Sequence, residues 1–152
     1  MSVNYSLFGV PVYWLYALAP HMYGVNIIKK ARNGKWDNTN PRGGNAASDI
    51  QKSVPKDVFA RYERCEGAHK NSMENAPFFM CAMLVGNVVG LPANTMNTAA
   101  AAYMGLRIAH TLLYINVTSQ KYSYLRTLVY TISTIVLQRL FFQAAWKLAY
   151  DY

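Results

Sequence analysis

The chain has 152 residues, 53% of them hydrophobic and only 14% charged, with a formal net charge of +8; the length fits one domain, and the composition is apolar-heavy for a soluble one. The excess of Lys and Arg does not point to nucleic acid, because ten of the 15 lie between Lys29 and Lys70, where Asp37, Asp49, Asp57, Glu63 and Glu66 dilute them and no nucleic-acid motif accompanies them. A mean hydropathy near zero averages a polar segment with long runs that carry almost no charge, and these runs read as membrane helices.

The first run, about residues 5–28 ("YSLFGVPVYWLYALAPHMYGVNII"), contains no Lys, Arg, Asp or Glu and is long enough to cross a hydrocarbon core of about 30 Å. It is expected to be retained, since "MSVNYS" lacks the basic start of a signal peptide and the run is too long for one. Residues 29–67 read as a polar loop with turn chemistry in "WDNTNPRGGN". Its basic residues place it in the cytosol; it either helps to form a site or only sets topology and touches anionic headgroups. A second helix is expected over about 68–89 and a third over about 95–115, divided by "GLPANTMN" with its Gly, Pro and Asn. After the polar "NVTSQKYS", a fourth helix over about 124–150 is apolar apart from Arg126, Arg139 and Lys147. Backbone polar groups in lipid must be paired internally, so the expected fold is all-α, an integral membrane four-helix bundle with residues 1–152 as one domain.

Metal and thiol chemistry find little support. Cys65 and Cys81 have no partner at metal-ligand or redox-motif spacing, and His21, His69 and His110 lack a matching carboxylate or cysteine pattern. No metal and no disulfide are expected.

What stands out is polar groups where the membrane begins. Lys70 and Glu74 are four apart and Asn71 and Glu74 three apart, so all three are expected to share one helical surface and converge, and a Glu at membrane depth normally faces a bundle interior or a water-filled cavity. The alternative is an intrahelical Lys70–Glu74 ion pair. Arg107, His110 and Tyr114 share one face of the third helix, and Arg126 and Tyr130, with Thr127 alongside, share one of the fourth. All three polar stripes fall at ends predicted to be cytosolic. Such a site suits a small anionic, polar ligand acting on a hydrophobic one, and a fixed cation such as Arg126 can hold a bound thiol as thiolate at neutral pH.

"ERCEGAHKNSMEN", "RIAHTLLYI" and "LRTLVYTIS" together resemble the second, third and fourth helices of the MAPEG family, the membrane-associated proteins in eicosanoid and glutathione metabolism, with the order and spacing of its microsomal glutathione transferase and prostaglandin E synthase members. The resemblance implies a homotrimer in the endoplasmic reticulum, with glutathione bound between neighbouring subunits near the cytosolic face. It implies that Lys70, Asn71 and Glu74, with Arg107, His110 and Tyr114, hold the peptide, that Arg126 stabilises its thiolate beside Thr127, and that Tyr130 hydrogen-bonds peptide or sulfur. Arg32, at the end of the first helix, carries over as a further glutathione contact. Lys70 stands where Arg is usual, Gly67 where another basic residue is, and Thr127 where the prostaglandin synthases have Ser, which keeps glutathione binding and weakens the case for prostaglandin chemistry. The activity so implied is that of a glutathione transferase or peroxidase working on lipophilic electrophiles or hydroperoxides. The alternatives are a glutathione-dependent isomerase of one lipid or secondary metabolite, or a non-catalytic lipid-binding or scaffold member.

Overall fold

Five helices carry the chain in the computed structural model, which describes residues 2–41 and 43–150. After a 3-10 turn at Ser6–Phe8 come α1 (Gly9–Ala31), α2 (Ala46–Ser53), α3 (Lys56–Val88), α4 (Ala93–Asn116) and α5 (Gln120–Tyr150). The described residues contain no strand.

The helix α3 is the central element. It packs against α1, α4 and α5, and its 33 residues make a rod about 50 Å long. Where it meets α1 and α4, the Phe79 and Tyr103 rings stack at 4.9 Å and Tyr13 lies 5.1 Å from Phe79. Fully buried Met83, Met96 and Leu137 extend this core along the bundle. The buried Tyr13 hydroxyl donates to the Ser72 carbonyl at 2.8 Å, so the aromatic centre costs no unpaired phenol at that position.

Two expectations are revised. The four-helix count becomes five, and the 29–67 segment is not a continuous loop: it contains α2, and α3 starts at Lys56, ahead of the apolar run that was expected to define it. The cause is an apolar stripe hidden among charges. Ile50, Phe59 and Tyr62 are buried together with Ile28 of α1, under Trp36 and Val54. Pro55 precedes the first turn of α3 and Asp57 lies within that turn, a start suited to the positive end of the helix dipole. By length and apolarity alone, α5 is the one described helix able to cross a membrane; the tyrosines, asparagines and charges of α1, α3 and α4 keep them below that measure.

At the end opposite α2, α3 stops in a Schellman turn. Gly90 has φ +68, Gly90 N–H donates to Asn87 O and Leu91 N–H to Gly86 O, which satisfies carbonyls that the helix end would leave open. The N-terminal residues are tied to this turn and to the start of α4: Asn4 Nδ2 donates to Asn87 Oδ1, Asn97 Nδ2 to Val3 O, and Tyr5 N–H to Asn97 Oδ1.

Candidate functional site

Three elements bring polar side chains together at the α2 end of the bundle. On α4, Arg107 is fully buried and donates through Nη2 to Asn71 Oδ1 of α3. Its guanidinium lies 5.6 Å from the Tyr130 ring of α5, and the Tyr130 hydroxyl donates to Asn75 Oδ1 at 3.3 Å. The buried His110 ring sits between Tyr130 at 5.9 Å and Tyr114 at 5.8 Å. Half-buried Arg126 closes the series, with its guanidinium 4.9 Å from the centre of Tyr114. Arg126, Tyr114, His110, Tyr130, Arg107 and Asn71 therefore form one continuous run of cations, aromatic rings and amides, with cation–π contacts at both ends.

The run is short of acceptors. Nε and Nη1 of Arg107 and Nδ1 of His110 are buried with no hydrogen-bond partner, and an unpaired buried donor costs about 1–3 kcal/mol. Donors left open beside two guanidinium groups are what an anionic ligand would use.

Lys70 and Glu74 point elsewhere. Both are exposed and line a cleft of about 710 Å³ between α3 and Pro41, Gly43, Ala46 and Ala47, with Glu63, Glu66 and Tyr62 also in its wall. The expected alternative, an intrahelical Lys70–Glu74 pair, is not formed: among the described residues the one ion pair joins His21 Nδ1 to Glu66 Oε1 at 2.7 Å. Among the described residues the cleft wall carries three carboxylates, one of them paired with His21, and one lysine, a setting for a ligand's ammonium group. Burial, and secondarily Glu66, pushes Tyr62 up to about 12, so its phenol stays protonated there.

Gly67 is the seam between the two regions. It lines the cleft, and a Cβ placed on it would come within 2.9 Å of the Tyr114 ring and hydroxyl. The absence of a side chain at Gly67 is what lets Tyr114 lie close against α3 beneath Arg126. Gly67→Arg should drive Tyr114 aside and lower stability by about 1–3 kcal/mol, the scale for overpacking. An unchanged thermal unfolding midpoint in detergent would show that Tyr114 does not depend on this space.

The remaining expected residues lie apart. Thr127 is exposed, and its carbonyl accepts from Thr131 Oγ1. Arg32 caps α1 and lines a separate cleft with Trp36, Asp37 and Asp49. Cys65 is fully buried and its thiol is pushed up mainly by that burial, which suits a packing role. No group of metal-ligating side chains occurs among the described residues.

Sequence reasoning missed four residues of this region. Asn75 is one turn beyond Asn71 and could have been found by the same spacing. Tyr16 of α1, whose hydroxyl donates to the Arg107 carbonyl, and the His21–Glu66 pair, which spans 45 positions, leave no local signal. His69 Nδ1–H donates to Ala17 O at 2.7 Å and its ring lies 5.3 Å from His21, which fixes the α1–α3 contact at the cleft.

A helical bundle with a cationic, aromatic cluster at one end and an apolar α5 fits a membrane protein. The family model of the MAPEG family matches residues 8–146, and the chain belongs to that family. No curated protein and no solved structure matches it. Membership supports a role in glutathione or eicosanoid metabolism.

Proposed function

We propose that this protein is an integral membrane glutathione transferase or peroxidase that holds glutathione as thiolate against lipophilic electrophiles or hydroperoxides. The observation that carries the reading is the seating of Arg126: its guanidinium rests on Tyr114, next to a run whose buried donors lack acceptors. The cleft and the run have complementary characters. Glu63, Glu66 and Glu74 suit the ammonium group of a zwitterionic tripeptide, whereas Lys70 and the Arg107–Arg126 run suit its carboxylates and sulfur. In the transferase step the sulfur forms a bond to an electrophilic carbon, and the leaving group departs with its electron pair. The thiol proton is lost on binding.

Lys70 and Glu74 face a different side of α3 from Asn71, and a homotrimer would let the cleft of one copy meet the Arg126 region of another. Four membrane spans, in α1, α3, α4 and α5, fit this assembly. Arg64 of the basic segment donates to the Ile115 carbonyl, so the loop rich in Lys and Arg and the α4–α5 connection lie at the same end; the positive-inside rule makes that end, and the site, cytosolic. The endoplasmic reticulum is the proposed membrane.

Ultraviolet difference absorbance of the purified protein with glutathione tests the reading. A thiolate band at neutral pH is the expected result, and its absence would favour a non-catalytic lipid-binding role. A panel of electrophiles and hydroperoxides then separates transferase, peroxidase and isomerase. Glu74→Gln keeps shape and removes charge; glutathione affinity should fall by about 1–3 kcal/mol, the scale for a hydrogen bond to a charged group. Calorimetry showing full affinity alongside reduced thermal stability would assign Glu74 to the fold instead.

A further inference from the structure

At the far end of the bundle from Lys70, where α3 turns into α4, a cavity of about 710 Å³ lies between the start of α4 and the second half of α5. Leu91, Ile135, Phe142 and Trp146 give it apolar walls, and Arg139 and Lys147 also line it. Phe142 and Trp146 are 76% and 67% exposed, so the cavity opens on the outer surface of α5.

Among the described residues no carboxylate forms an ion pair with Arg139 or Lys147, and six of the seven acidic residues fall between Asp37 and Glu74; the seventh, Asp151, lies outside the described residues. Lys147 is held at the cavity by donation of Nζ–H to the Gly90 carbonyl at 2.8 Å. Arg139 precedes it on the same helix by about 12 Å of axial rise. With Lys147 at the polar end of a spanning helix, Arg139 is set two turns inside the apolar belt, where a cation without a counter-charge is costly.

We infer that this cavity holds an anionic glycerophospholipid of the leaflet opposite the glutathione site, with its phosphate between Arg139 and Lys147 and an acyl chain along Ile135 and Phe142. Charge complementarity selects the headgroup, and the apolar wall running from the cations into the membrane selects a ligand with a chain attached. A zwitterionic lipid would bring its own ammonium group to the two cations, and a free anion would leave the wall uncovered. The inference rests on the membrane reading of α5 and not on glutathione chemistry.

Trp146 supplies the readout. In full-length protein carrying Trp14→Phe and Trp36→Phe, reconstituted in nanodiscs and checked for helicity by circular dichroism, phosphatidylglycerol brominated on its acyl chains should quench Trp146 at a several-fold lower mole fraction than phosphatidylcholine brominated in the same way. Arg139→Gln should cut that preference by about fivefold, the scale of one cation at an anionic surface, and Arg139→Lys should keep most of it. Equal quenching by the two lipids, or an undiminished preference in both Arg139→Gln and Lys147→Gln, overturns the inference. Abolition of the preference by inorganic phosphate, when chloride of the same ionic strength leaves it intact, assigns the cavity to a free anion and overturns it too. Glutathione takes no part in this measurement, so failure here leaves the proposed activity standing.

Discussion

Replacing Arg126 with Leu should erase the thiolate band of bound glutathione at neutral pH and lower turnover by orders of magnitude. Lowering a thiol pKa by about two units requires about 2.7 kcal/mol of preferential stabilisation of the charged form, which a close, partly desolvated guanidinium supplies and a freely solvated one does not. Arg126 is half-buried and laid over the Tyr114 ring, so its position is fixed before any ligand arrives. Arg126→Lys should keep part of the effect, because charge survives but the planar contact with Tyr114 does not. Tyr114→Leu should act in the same direction with Arg126 untouched, by loosening the guanidinium. Difference absorbance of the glutathione complex from about pH 6 to 9, a window around the thiol's ordinary range, reads all three. A full band in Arg126→Leu would remove Arg126 from the role and turn attention to Arg107.

The long helices were legible because their runs lack charge, and a run of that length without charge has few other physical outcomes. The start of α3 was not. Phe59 and Tyr62 are interspersed with Arg61, Glu63 and Arg64, and what makes them core is Ile28, from a helix that ends before Arg32; a stripe whose partner is thirty positions away has no local signature. The same division holds at the candidate site. Asn71, Arg107 and Tyr130 each stood out as polar groups in apolar surroundings, but that Arg107 reaches Asn71 across 36 positions is a fact of packing. Lys70 and Asn71 were expected to share one surface with Glu74 but point to different sides of α3: neighbours on a helix are turned by about 100°, and Asn71 follows Arg107 while Lys70 and Glu74 follow the cleft. Thr127, adjacent to Arg126, is turned outward for the same reason.

Asn71→Leu should destabilise the protein by about 3 kcal/mol, because it leaves the buried Arg107 guanidinium with no hydrogen-bond acceptor at all. Arg107 already has Nε and Nη1 unpartnered, and Asn71 Oδ1 is its one side-chain acceptor. The cost therefore belongs to the charge left behind and not to the asparagine. Arg107→Met combined with Asn71→Leu removes both ends of the contact, and replacing a buried polar pair with apolar groups of similar volume is often neutral. The double variant should recover most of the lost stability, with a thermal midpoint in detergent well above that of Asn71→Leu alone. If Arg107 only fastens α4 to α3, the recovered protein should still bind glutathione with its Arg126 thiolate band intact. If the open Nε and Nη1 donors wait for a ligand carboxylate, it should be folded and fail to bind, with affinity down by about 1.5–3 kcal/mol for each charged hydrogen bond lost. The proposed role of Arg107 requires the second outcome, and calorimetry on a double variant of near-normal stability decides between them.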